Sequence, residues 1–141
     1  MAYNPDNIFA KILRAELPCI RVYEDDKVLC FMDLMPQSPG HTLVVPKEAA
    51  ETIFELSPAS AAACIAVAQR LAAAVKTAVA AEGIMLAQFN GAAAGQTVPH
   101  VHFHVIPRWA GREVKGHATE RVDTEQLKAT AAKIMAALGC A

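Results

Sequence analysis

An α+β domain is the fold this sequence predicts: one mainly antiparallel sheet of five strands, a long helix packed on one face, a short N-terminal helix and a C-terminal helix. Three observations predict it. Three strand-like segments, 20–24, 28–32 and 41–45, follow one another with short connections, which favours antiparallel pairing. A long alanine-rich stretch after Ser57-Pro58 carries apolar residues at helical spacing. Two more strand-like segments, 84–89 and 98–106, come after it. The chain of 141 residues is read as a single domain over 1–141.

Each element has its local reason. Asp6 can cap a first helix that places Ile8, Phe9, Ile12 and Leu13 on one face, and Pro18 stops it. Asp25-Asp26 turns the chain between the first two strands. Pro36-Gln37-Ser38-Pro39-Gly40 makes a rigid connection to the third, which Pro46 closes. Residues 47–56 read as helical. Ser57 is an N-cap with proline at the first helical position, and the long helix is expected to run to about Glu82 and stop at Gly83. Its stripe is Cys64, Ala68, Leu71, Val75 and Val79. After a polar stretch over 109–121, Asp123-Thr124-Glu125-Gln126 resembles a capping box and opens a helix with Leu127, Ala131, Ile134 and Leu138 on one face, ended by Gly139.

Composition narrows the function classes. The chain is 54% hydrophobic and 19% charged, with net charge −1, which is globular and argues against broad nucleic-acid or membrane-surface binding. No apolar run is read as approaching the roughly 20 residues of a membrane span. The polar start, Met1 to Asp6, lacks the parts of a signal peptide, so a cytoplasmic location is expected. Cys19, Cys30, Cys64 and Cys140 are scattered, with neither C-x-x-C nor zinc-ribbon spacing, and read as reduced thiols.

The chemistry concentrates in Asn90 to Arg108. Here His100, His102 and His104 alternate with Val101, Phe103 and Val105. On a strand the three imidazoles would share one face, roughly 7 Å from one to the next, with the apolar residues in a core. Buried imidazoles need partners, and three readings compete: structural histidines, metal ligands with His41 as a fourth, or a catalytic set. The preceding residues favour the last. Gly91 and Gly95 let the backbone approach a ligand, and Gln96 and Thr97 add donors. Donors beside imidazoles suit a phosphate better than a cation, and an imidazole near neutral pH can attack phosphorus. The lysine of a P-loop is absent from this stretch.

The segment His100-Val101-His102-Phe103-His104-Val105-Ile106 resembles the histidine triad motif, His-φ-His-φ-His-φ-φ, of the HIT superfamily of nucleotide hydrolases and transferases. The segments 7–12 (NIFAKI) and 31–47 (FMDLMPQSPGHTLVVPK) resemble the nucleotide-binding Hint branch. The resemblance implies a HIT-like fold and a purine nucleoside phosphoramidase or nucleotidyl hydrolase working through a covalent nucleotidyl-histidine, on a substrate such as an AMP derivative. His102 would be the nucleophile, His104 would bind phosphate, His100 would orient His102, and His41 would be linked to the set. Gln96 and Thr97, with Asn90 and Gly95 beside them, would hold phosphate oxygens or the leaving group. Asp33 would accept the ribose hydroxyls, and Ile8, Phe9, Phe31 and Leu43 would wall the base pocket.

Three features qualify this. Pro99 stands where family members often have an aromatic residue, and the N-terminal cysteine pair that holds zinc in some relatives is missing, so neither metal nor cofactor is expected. Pro107-Arg108-Trp109-Ala110-Gly111 resembles the fragile histidine triad branch, which leaves a dinucleoside polyphosphate hydrolase as an alternative. A purine-nucleotide-binding regulatory module is a second alternative, though it would not need a nucleophile. Arg108 and His117 read as solvated. The resemblance also implies a homodimer.

Overall fold

The computed structural model describes residues 2–112 and 121–139. Its five strands are β1 (Arg21–Glu24), β2 (Val28–Met32), β3 (Thr42–Pro46), β4 (Gly83–Gln88) and β5 (Phe103–Arg108). They form one sheet in the order β1-β2-β3-β5-β4, every neighbouring pair antiparallel. The helices are α1 (Ile8–Leu13), α2 (Pro58–Ala78) and α3 (Thr124–Leu138). The predicted α+β architecture holds, with α3 joining α2 over the same face of the sheet.

Strand alternation divides the molecule into two layers. Val28, Cys30 and Met32 of β2, Val44 of β3, and Phe103 and Val105 of β5 meet Cys64, Ala68, Leu71 and Val75 of α2 and Leu127, Ala131 and Ile134 of α3. Leu29 and Phe31 of β2 and Leu43 and Val45 of β3 point the other way and pack with Phe9 of α1. A fully buried aliphatic side chain contributes about 1.5–3 kcal/mol, so the larger helix-side cluster dominates stability. The smaller cluster forms the floor beside the histidines.

Several boundaries differ from expectation. The cap of α1 is Asn7, whose Oδ1 accepts the Ala10 N–H at 2.8 Å; Asp6 remains exposed. Residues 47–56 form turns rather than a helix. There the Glu55 carboxylate takes the Thr52 N–H and hydroxyl, and Glu48 takes the Ser57 N–H and the Ser57 and Ser60 hydroxyls. These bonds supply local alternatives to a helical ladder. Helix α2 ends at Ala78, short of Glu82, because Ala80 turns left-handed at φ 52°, and Gly83 opens β4. By length and composition alone α2 would pass as a membrane span, contrary to the sequence reading. In the fold its apolar stripe lies against the sheet. Strand β5 begins at Phe103, so residues 98–102 lie outside the ladder. Cys30 and Cys64 are buried and Cys19 is half-buried; the expectations for Cys140 and His117 lie outside the described residues.

One glycine is fixed by space as well as angle. Gly40 has φ +95°, and a Cβ there would sit 3.0 Å from Val79 Cγ1 and 3.1 Å from Pro107 Cγ. Only glycine lets the Pro36–Gly40 turn close down on the end of α2 and deliver His41 into the sheet.

Candidate active site

The three histidines keep the face that their spacing predicts, although the ladder covers only the last. His104 lies within the sheet, opposite Leu43 on β3 and Ala87 on β4. Val101 turns into a small cluster with Ala50 and Leu56, while Phe103 and Val105 enter the main core. His100, His102 and His104 are all buried. The rings of His102 and His104 are 4.9 Å apart, centroid to centroid, and Phe9 lies perpendicular to His102 with centroids 4.8 Å apart.

A one-way hydrogen-bond chain sets the protonation of two of the histidines. It starts at the Gln37 backbone N–H, which donates to His41 Nδ1 at 3.0 Å. An N–H can only donate, so His41 Nδ1 holds a lone pair and its proton is on Nε2. His41 Nε2 is 2.9 Å from His104 Nδ1, which must therefore accept. The proton of neutral His104 is then on Nε2, a donor suited to a phosphate oxygen. Asp33 Oδ2 lies 3.5 Å from His41 Nε2, while Asp33 Oδ1 accepts the Met35 N–H at 2.8 Å.

The second chain orients His102. Its Nδ1 is 2.7 Å from the His100 carbonyl oxygen. A carbonyl only accepts, so the proton is on Nδ1 and the lone pair of the neutral ring is on Nε2. His100 does not touch the cavity. Its Nε2 donates to the Pro46 carbonyl at 2.8 Å, and its Nδ1 is 2.6 Å from the Tyr3 hydroxyl. Burial pushes the His100 pKa below its ordinary value, against the Pro46 carbonyl, which favours the charged form.

A cavity of about 200 Å³ opens beside these rings. Its walls include the expected Ile8, Phe9, Phe31 and Leu43, with Asp33, Thr97, His41, His102 and His104. Phe9, Phe31 and Leu43 belong to the floor cluster, whereas Ile8 is 55% exposed and forms the rim. Cys19, Met35 and Gln37 also line it, and sequence reasoning did not single them out.

The glycine-rich loop has a different task for some expected ligands. Gln96 Oε1 accepts the Gly91 N–H at 2.7 Å, and its Nε2 donates to the carbonyls of Glu51 and Val98 at 2.7 and 2.9 Å. Its amide braces the loop, and a phosphate contact would need one of these bonds to exchange. Asn90 likewise exchanges two bonds with Gln88 and accepts the Ile53 N–H. Gly95 ends the 3-10 turn Ala92–Ala94 in the left-handed conformation, φ +105°. Arg108 lies at a different cleft, between the Pro36–Gly40 turn and α3.

Asp33, His41 and His104 each bring one ligand atom within 4.8 Å of the others, a group that could hold a metal ion. The hydrogen bonds do not suit one. With Gln37 N–H on His41 Nδ1, a cation on Nε2 would require an imidazolate ring. The donor order fits a phosphate oxygen at His104 Nε2 better.

Residues 14–111 match the model of the HIT domain. The chain belongs to the HIT domain family. It is 39% identical over 119 residues to adenylylsulfatase HINT3 of Arabidopsis thaliana, covering 80% of this chain and 60% of that protein, so it spans well under two thirds of that relative's length. It is 41% identical over 101 residues to adenosine 5'-monophosphoramidase hnt1 of Schizosaccharomyces pombe, covering 72% of this chain and 73% of that one. The crystal structure of a Hit-like protein from Bartonella henselae superposes with a TM-score of 0.90 at 48% identity, covering 96% and 99% of the two chains. At a coarse level, this membership supports a nucleotide hydrolase.

The buried His100 also makes a pH prediction. Its folded pKa lies below the unfolded value of about 6.5. The unfolded chain therefore binds more protons in acid, and this contribution to stability is complete above that value and lost as pH falls through it. The urea midpoint is expected to fall between about pH 8 and pH 5, and to fall less for His100→Gln. An equal slope in the two proteins would refute this.

Proposed function

We propose that the protein is a purine nucleoside phosphoramidase or closely related nucleotidyl hydrolase with His102 as nucleophile. The observation that carries this is the 2.7 Å contact between His102 Nδ1 and the His100 carbonyl, which in the neutral ring assigns the proton to Nδ1 and the lone pair to Nε2 of a residue that lines the cavity. Attack of Nε2 on the α-phosphorus would form a P–N bond as the bond to the leaving amine breaks, and the amine takes up a proton from solvent. Water then cleaves the nucleotidyl-histidine to a nucleoside monophosphate and restores the ring. His104 Nε2–H stabilises charge on a non-bridging oxygen. The aromatic and aliphatic wall of Phe9, Phe31 and Leu43 suits a base, and the Asp33 carboxylate suits vicinal ribose hydroxyls. The phosphoramidase activity named for the fission yeast relative supports the same choice.

Hydrolysis of an adenosine phosphoramidate is expected to exceed that of a diadenosine polyphosphate. The reverse order would establish the dinucleoside polyphosphate reading, and turnover of neither would favour the regulatory module. His102→Ala should lower kcat by about 10³-fold or more while AMP still binds, and a wild-type rate would rule out the nucleophile.

A carboxylate hydrogen bond is worth about 1.5–3 kcal/mol. Asp33→Asn should therefore weaken AMP binding by about tenfold or more with little change for deoxy-AMP. Equal losses, measured by calorimetry, would remove the ribose role.

We further propose a homodimer formed through the β4 edge. Met85 and Leu86 on that edge strand and Ile65 on α2 are exposed, a pattern that soluble edge strands usually avoid. Sedimentation should show a dimer that Leu86→Glu converts to monomer; a monomeric wild-type protein would contradict it.

A further inference from the structure

We infer that Tyr3 is a positioning residue for the nucleophilic step: its hydroxyl fixes the His100 ring and, through the His100 carbonyl, the orientation of His102. This rests on the reading of His102 as the nucleophile.

The His100 carbonyl has one partner that matters for chemistry, His102 Nδ1. Yet residues 98–102 lie outside the sheet ladder, so strand pairing does not hold that peptide in place. Two backbone bonds help, from His100 N–H to the Val98 carbonyl and from Val101 N–H to the Ala50 carbonyl, each 2.9 Å. A further restraint is the His100 side chain, clamped at both nitrogens. Pro46 O takes the Nε2 proton, so Nδ1 must accept, and the Tyr3 hydroxyl 2.6 Å away is its donor. The ring is 0% exposed, so water cannot replace that hydroxyl without a rearrangement.

Tyr3 is itself held in place. Asn4 follows it, and its carbonyl accepts from the Asn7 side chain at 2.7 Å; Asn7 also caps α1. The same helix carries Phe9, whose ring meets His102 edge-on. The Tyr3 and His100 rings meet edge-on as well, at 5.6 Å and 73°. One short N-terminal unit thus touches the nucleophile directly through Phe9 and indirectly through Tyr3. Without the hydroxyl, a buried lone pair loses its donor, which is costly enough to turn the ring. A turned ring moves the carbonyl and releases the His102 tautomer.

Tyr3→Phe keeps the aromatic contact and removes only the hydroxyl. For an adenosine phosphoramidate, kcat is expected to fall about tenfold with KM and AMP affinity unchanged, since only the attack needs the lone pair on Nε2. Imidazole nitrogen-15 spectra at about pH 8 should show His102 of the wild-type protein as one tautomer protonated at Nδ1, and of Tyr3→Phe as a mixture. A wild-type kcat with an unchanged His102 tautomer overturns the inference. Parallel losses in kcat, AMP affinity and melting temperature, with one tautomer retained, also overturn it, since they describe a merely structural tyrosine. If the wild-type protein turns over no phosphoramidate, the reading of His102 fails, and the tautomer comparison still decides the role of Tyr3.

Discussion

A backbone N–H can donate a hydrogen bond and cannot accept one, and the site depends on that asymmetry at Gln37. Its N–H fixes the lone pair of His41 Nδ1, which fixes the proton on His41 Nε2, which makes His104 Nδ1 an acceptor. Three groups are polarised in series by a peptide that cannot titrate. A side-chain donor in the same place could rotate or lose its proton. The turn bearing Gln37 is in turn held where only Gly40 fits, and the Ser38 hydroxyl donates to the Pro107 carbonyl at 2.7 Å. Backbone shape therefore sets imidazole chemistry.

The two histidine chains use different supports. His104 is held by strands on both sides, while His102 and His100 extend beyond the end of the pairing on β5. Side chains do there what the sheet does elsewhere: Gln96 ties the loop to the Glu51 and Val98 carbonyls, and His100 ties it to Pro46. Keeping this peptide out of the ladder leaves the His100 carbonyl available to a ring nitrogen instead of a strand N–H. That is a direct structural reason for β5 to start at Phe103.

Local patterns made much of this legible. Alternation along His100 to Val105 indicated the faces, and Ser57-Pro58 and Asp123 indicated where α2 and α3 begin. The acidic side chains of Glu48 and Glu55 decided the 47–56 segment, because they reach nearby backbone N–H and hydroxyl groups that a helical pattern does not reveal. Asn7 displaced Asp6 as the cap by one position, and its side chain also reaches back to the Asn4 carbonyl. The cavity wall was readable from family-like segments, but Tyr3 was not. It meets His100 across 97 positions, and no periodicity carries a contact of that range. Gln37 lay inside a stretch read as a rigid connection and as part of a family-like segment, with no role of its own, because a main-chain donor leaves no trace in residue type.

The division of β5 into a histidine side and a Phe103–Val105 side has a practical consequence. Slipping the strand by one residue would put His104 against α2 and an apolar side chain in the cavity. Such a state would lose both its core and its chemistry, with no intermediate grade. The register that packs Phe103 and Val105 into the core is therefore the same register that places His104 on the cavity wall.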